Sequence, residues 1–270
     1  MQLLEEKKIP VLQNQKNRDA FEMTAGTINF LITRPLSSAI NLRDKIAKKI
    51  KNINIIIFPA IDIIEIKSEI LSQIDLSQID MMIFISPAAV EHSANFIKKI
   101  KNKKNHIIIF SIGKDTAGKI GESGLAWSKV IYPTEKFNSE ALLDLKELKE
   151  ITNKNIMIFK GAGGNASLSE MLKAREANVI EAVVYERRLP KPDILPDLNH
   201  IDLILCTSSE SMNNLISLLG DAVKEKRLLV SSEKLVLSAK TLGFKQTPLL
   251  AQNAGDEALI DALSLNANSR

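Results

Sequence analysis

The segment DMMIFISPAAVEHSANFI, which begins at Asp80, returns in altered form as DLILCTSSESMNNLISLL at Asp202. A second pair follows: HIIIFSIGKDTAGKIGESG from His106 and RLLVSSEKLVLSAKTLGF from Arg227. The strand and helix at Val130 match those at Pro248, and INFLITRP with its helix matches IMIFKGAGG with its helix. Each piece is a short apolar run, a turn of hydroxyl residues or glycine, and then apolar residues at helical spacing. Apolar runs without alternation suit strands covered on both faces, as in parallel sheets. The repeat is too long for a solenoid. A (βα)n unit used twice requires two similar α/β lobes.

In chain order, the strand Thr27–Thr33 leaves through Arg34-Pro35 into a helix ending at Ile50. Ile53–Phe58 is the next strand. Asp80–Ile85 ends at Ser86-Pro87, with a helix expected to about Ile100. His106–Phe110 ends in Ser111-Ile112-Gly113; a short helix and a turn at Gly121–Gly124 follow. After Val130–Tyr132, Asn138 or Ser139 caps a helix expected to reach Glu150. Ile156–Phe159 is a strand met at once by Gly161, Gly163 and Gly164. Ser167 or Ser169 is expected to cap the next helix, with Leu168, Met171 and Leu172 on one face. Val179–Tyr185 returns as a strand, and Pro190–Pro196 is an extended linker. Asp202–Cys206 ends in Thr207-Ser208-Ser209, with a helix to Leu219. Arg227–Val230 ends in Ser231-Ser232, with a helix to Leu242 stopped by Gly243. Thr247–Ala251 and Asp256–Leu265 close the chain as strand and helix.

Composition narrows the function classes. Apolar residues make up 45% and charged residues 25%, which suits a soluble protein with real cores. Aromatics are only 4%, so Ile and Leu must fill the interior. No apolar run is long enough to cross a bilayer, and the charged N-terminal residues lack the apolar region of a secretory signal. Residues 1–26 read as an extension. Cys206 is the only cysteine, so no intrachain disulfide can form, and a reducing cytoplasm fits best. A net charge of +4 suits an anionic small molecule. Nucleic-acid binding calls for a basic stripe with stacking aromatics; the densest basic run, Lys98–Lys104, reads as a solvated helix end. His92, His106 and His200 are scattered, with no ligand spacing for a metal.

Ligands of such folds sit outside the carboxyl ends of the strands. Those ends here are rich in hydroxyls and glycine amides and poor in acids. They suit hydrogen bonding to carboxylates and do not suit metal-assisted hydrolysis. Arg34, directly after a buried strand, is a candidate anion contact. The serine pairs at Ser208 and Ser231 have an equally simple reading as helix caps. GAGGNA also fits the dinucleotide pattern G-x-G-x-x-A, with Glu181 and Glu186 near the next strand; alone it is a weak signal.

Taken together, ITRP, IFISPAAV, GAGG, KAREANVIEAVVYERR, LLVSSEKLVLSAKTLGF and AQNAGDEALIDAL resemble the uroporphyrinogen-III synthase (HemD) family over Thr27 to Leu265. The resemblance implies two flavodoxin-like parallel-sheet lobes joined by a two-stranded β-ladder. Residues 27–63 with 189–265 would form one discontinuous lobe and residues 64–182 the other. Segments 58–63 and 183–188 would be the linker strands.

The resemblance further implies an enzyme, a hydro-lyase and cyclase that turns the linear tetrapyrrole hydroxymethylbilane into uroporphyrinogen III. The reaction inverts ring D and loses water, and no cofactor or metal is implied. Main-chain amides and hydroxyls of an interlobe cleft would hold the flexible polycarboxylate, which is catalysis by orientation. Tyr185 matches the family tyrosine near the leaving hydroxyl, where a neutral phenol can donate a proton. Arg34, Ser86, Thr116, Gly161, Gly163, Gly164, Thr207, Ser208, Ser209 and Ser232 would contact substrate. Ile85 replaces a threonine and Asn165 an arginine of the family pattern, and both changes remove polar grip. A monomer, with a transient contact to the preceding deaminase, is also implied. Two other readings stay open: a non-catalytic two-lobed binder of a small anion, and a nucleotide-dependent oxidoreductase built on GAGGNA.

Overall fold

The computed structural model describes residues 27–100, 107–124, 129–163 and 166–267. Gly164, Asn165, His106 and residues 101–104 of the basic run lie outside the described residues. Contacts divide the chain into two units, one running to Asp62 and resuming at Arg188, the other Ile63–Arg187.

The elements in chain order are β1 (Ile28–Ile32), α1 (Leu36–Lys49), β2 (Ile53–Ile57), β3 (Asp62–Glu65) and α2 (Ile70–Gln73). Next come β4 (Met81–Phe84), α3 (Pro87–Glu91), α4 (Ala94–Ile100), β5 (Ile108–Ser111), α5 (Lys114–Glu122) and β6 (Val130–Ile131). Then follow α6 (Ser139–Leu143), β7 (Asn155–Gly161), α7 (Ser167–Ala174) and β8 (Asn178–Arg188). The chain closes with β9 (Leu203–Cys206), α8 (Ser209–Leu219), β10 (Arg227–Val230), α9 (Glu233–Thr241), β11 (Leu249–Leu250) and α10 (Asp256–Ala267).

The first unit holds a sheet of order β2-β1-β9-β10-β11, with every pair parallel. Numbered along its own chain this is 2-1-3-4-5, the flavodoxin order. The second unit has β8-β7-β4-β5-β6, again parallel, with β3 added beside β8. Read from β7, its order is also 2-1-3-4-5. The repeated segments of sequence therefore occupy the same places in both sheets, and the two units are circular permutations of one plan. Of the 58–63 segment, Phe58 and Ala60 are buried, with their amides bonded to Ile32 and Thr33 carbonyls; β3 itself starts at Asp62.

Each sheet is covered on both faces, which explains its unbroken apolar strands. In β4, Met82 and Phe84 join the cluster under α3, α4 and α5, while Met81 and Ile83 join that under α6 and α7. Phe84 stacks on Phe159 with centroids 4.4 Å apart. In β1, Leu31 faces α8 and α9, and Phe30 and Ile32 face α1 and α10.

Several expected boundaries move for local reasons. The helix after Ser86 breaks at His92-Ser93, because the Ser93 hydroxyl donates to the Ala89 and Val90 carbonyls and competes with the helix ladder. The expected turn at Gly121–Gly124 starts later: α5 runs through Gly121, and Gly124, at φ 85°, ends it. Asn138 caps α6 through Ala141 N, but the helix stops at Leu143. Leu145 is extended there, and Leu148 reaches the core from a 3-10 turn. Neither Ser167 nor Ser169 caps α7. Ala166 holds the cap position without a side-chain bond, and Ser169 faces inward with its hydroxyl unpartnered among the described residues. Met171 is exposed, while Leu168 and Leu172 form the buried stripe.

Candidate functional site

At the centre of each sheet two neighbouring strands send their helices to opposite faces. β7 leads to α7 on one face and β4 to α3 on the other. β1 leads to α1 and β9 to α8 in the same way. Such switch points leave a crevice at the carboxyl edge, where α/β proteins hold ligands.

In the second unit Tyr185 reaches this switch point from β8. β7 and β8 run in regular register to Lys160↔Val183, then skip one residue to pair Gly161 with Tyr185. The extra residue, Val184, makes a β-bulge. A bulge re-aims side chains, and here Val184 and Tyr185 both join the cluster on one face, where strict alternation would separate them. The Tyr185 ring lies across Gly161. A Cβ at Gly161 would stand 2.5 Å from Cζ and 2.6 Å from Cε2 of that ring, so only glycine admits it.

Tyr185 is 3% exposed, and its hydroxyl is 3.1 Å from Ser86 Oγ. Ser86 caps α3: its Oγ accepts from Ala89 N at 3.0 Å. A serine hydroxyl has one hydrogen and two lone pairs. With one lone pair given to Ala89, the contact with Tyr185 uses one hydroxyl hydrogen and leaves the other hydrogen of the pair free for a ligand. Ser86 is half-buried, so it is the more open member. The His92 ring lies 6.0 Å from the Tyr185 ring.

The other expected residues of this unit divide. Gly163 is exposed at φ 70°, a left-handed conformation that favours glycine. Gly164 lies outside the described residues. Thr116 is 2% exposed inside α5, so its side chain packs beneath the edge. Lys160, which is buried, pairs at 3.2 Å with the half-exposed carboxylate of Glu181, next to Gly161. Sequence reading had no signal for that pair beyond a lysine in an apolar run.

In the first unit, Ser208 repeats the role of Ser86: its Oγ accepts from Ser211 N at 3.0 Å. Thr207 beside it is half-buried. Ser209 turns toward α9, with its Oγ 3.1 Å from Ser238 Oγ. Ser232 holds the cap position of α9 with no side-chain cap bond and is exposed. It lines a pocket of about 370 Å³ with Ser231, Glu233, Leu250, Ala251 and Gln252.

Arg34 is bonded to Asp256 at 2.6 Å, and Lys45 holds the second oxygen of that carboxylate at 2.7 Å. Burial pushes the Asp256 carboxyl up, but Lys45 and Arg34 outweigh it and leave the group below the ordinary range. Arg34 is thus engaged by a residue far along the chain that sequence pattern did not connect to it.

Comparison with known proteins agrees with this architecture. The family model described as uroporphyrinogen-III synthase HemD matches residues 44–261. The uroporphyrinogen-III synthase of Escherichia coli is 30% identical over 199 residues, covering 70% of this chain and 80% of that protein. That of Salmonella typhimurium is 34% identical over 164 residues, covering 57% and 65%. Among solved structures, a uroporphyrinogen-III synthetase from Helicobacter pylori superposes with TM-score 0.59 at 14% identity, covering 90% of this chain and all of that one (100%). A mutant uroporphyrinogen III synthase from Thermus thermophilus does so with TM-score 0.54 at 15% identity, covering 90% and 99%. These two carry the fold. The matched span and the coverage of the Escherichia coli relative carry the family: this chain belongs to the uroporphyrinogen-III synthase HemD family.

Proposed function

We propose that this protein cyclises hydroxymethylbilane to uroporphyrinogen III, with inversion of ring D and loss of water, and that Tyr185 supplies the proton for the first step. The observation that carries the assignment of Tyr185 is its seat: a bulge turns it, Gly161 makes room for it, and Ser86 meets its hydroxyl at 3.1 Å. Ser86, being more open, passes a hydrogen to the departing hydroxyl while Tyr185 replaces it. The C–O bond breaks with both electrons going to oxygen, the proton makes water, and the pyrrole nitrogen lone pair forms the azafulvenium. The substituted carbon of ring D attacks to give a spiro centre. Fragmentation and recombination close the ring with ring D turned round, and the proton lost at closure restores the phenol.

Holding a flexible polyanion in one shape accounts for most of the remaining rate, since fixed orientation alone can replace much of an entropic barrier. Each sheet edge offers donors of its own. In this reading the amides of Gly161 and Gly163 and the hydroxyls of Ser86, Thr207, Ser208 and Ser232 meet acetate and propionate groups. Arg34, Thr116 and Ser209 shape the edges from behind, because each is buried or already bonded. The dinucleotide reading of GAGGNA is not favoured, since Glu181, one of its two candidate acids, is bonded to Lys160. Among the described residues no helix is long and apolar enough to cross a membrane. We place the protein in the cytoplasm as a monomer that receives substrate from the preceding deaminase by transient contact.

Purified protein supplied with freshly generated hydroxymethylbilane is expected to yield the type III isomer. Only the type I isomer, at the spontaneous rate, would overturn the reading.

A further inference from the structure

We infer that Phe137 is a binding residue for a pyrrole ring of the substrate; the inference rests on the function proposed above. Phe137 is 53% exposed, whereas Phe30, Phe58, Phe84, Phe96, Phe110, Phe159 and Phe244 are each at most 8% exposed. It follows β6 and precedes Asn138, the cap of α6, so it stands at the carboxyl edge of the second sheet.

A single exposed apolar side chain is ordinary. This one is seated. Its ring lies over Gly113, directly beyond β5, and a Cβ there would stand 2.9 Å from its Cδ1 and Cγ. The backbone does not demand glycine at this position, because Gly113 has φ 179°, which any residue adopts. What glycine provides is room for the ring. The ring is thus packed on one side and open on the other.

Its position fits one occupant. β5 is the direct neighbour of β4, with Phe84 opposite Ser111, and Ile112 N bonds to Phe84 O. Ser86 and Gly113 each lie two residues further on, so the backbone under the Phe137 ring stands about one strand spacing, ~5 Å, from that of Ser86, whose hydroxyl meets Tyr185. The hydroxyl of Ser86 at the neighbouring strand end is a donor of the kind that serves carboxylates. A linear tetrapyrrole also presents flat π faces, and an aromatic ring with one open face is the complement to them. While Ser86 and Tyr185 work on one ring, Phe137 would hold a ring beside it.

The test is steady-state kinetics with isomer analysis on the full chain. Phe137→Ala is expected to raise KM for hydroxymethylbilane about tenfold with kcat within about twofold, the pattern of lost uniform binding. Phe137→Trp should keep the wild-type KM, and Phe137→Leu should fall between. Gly113→Ala, which displaces the ring without removing it, should raise KM as Phe137→Ala does. A melting temperature near wild type for Phe137→Leu keeps the comparison valid should Phe137→Ala not fold. If wild type makes the type III isomer and all four variants share its KM, Phe137 has no binding role and the proposed function stands. If wild type makes only the type I isomer, the proposed function fails and this inference falls with it.

Discussion

The ring of Tyr185 occupies the space that any side chain at Gly161 would need, with a Cβ there falling 2.5 Å from Cζ. Gly161→Ala must therefore shift the ring or the strand end. Overpacking of this kind costs about 1–3 kcal/mol. The cost should belong to the pair. In a Tyr185→Ala background, Gly161→Ala should destabilise by less than about 0.5 kcal/mol, because the residues couple only through contact. Denaturant midpoints of the four proteins give the coupling. An equal cost in both backgrounds would show that the ring is not what Gly161 accommodates.

Ser86 and Tyr185 share one hydrogen-bonded contact, at 3.1 Å. If they pass a single proton, removing either should cost about as much as removing both. We expect Tyr185→Phe and Ser86→Ala each to lower kcat at least tenfold, toward the low end of general-acid effects of about 10²-fold. The double variant should be no slower than the slower single. Ser86→Ala also deletes the α3 cap and should lower stability by about 1 kcal/mol, which Tyr185→Phe should not. Multiplying rate losses in the double variant would mean that the two groups act separately.

Much of the fold was legible in the sequence because its main signal is coarse. Unbroken apolar runs such as MMIF and LILC belong to strands covered on both faces, and their repetition gave two sheets of one order. Cap residues are local signals too: Asn138 and Ser208 cap as their spacing suggests, though Ser167 and Ser169 do not. Legibility failed where two chain-distant groups meet. The Arg34–Asp256 pair joins the first strand exit to the last helix, and no short-range pattern links them. The bulge at Val184 leaves no mark in composition, yet it decides where Tyr185 points. Nor does the sequence show that Phe137 stays open to solvent, since in a window of one strand and one helix it reads like any core phenylalanine.

Asp256 makes a prediction in pH. Lys45 and Arg34 stabilise its carboxylate in the folded state, so its folded pKa is lower than in the unfolded chain. A depressed acid contributes stability above its unfolded pKa and loses it as pH falls through the folded value. Asp256→Asn should thus cost about 1 kcal/mol at pH 7, at the upper end for a partly solvated pair. The gap between variant and wild type should close as pH drops below the ordinary aspartate value of about 3.9. Urea midpoints from pH 7 to pH 3 measure it. A gap constant across that range would assign the cost to packing and not to charge.

Cys206 sits fully buried at the end of β9, and burial pushes its thiol up to about 12, although contacts with Thr33 and Ser211 pull the other way. The thiolate is the reactive form. At pH 8 the folded protein should therefore react with an aromatic disulfide reagent far more slowly than the unfolded chain, because both access and ionisation are blocked. Labelling should then follow opening of the first unit's core around Met212 and Leu215, with which Cys206 packs. Met212→Ala, which thins that packing, should speed labelling in proportion to its loss of stability, about 2–5 kcal/mol for such a truncation. Rapid labelling of the native protein, unchanged by Met212→Ala, would mean that the thiol is reached without opening the core and that its burial does not control its chemistry.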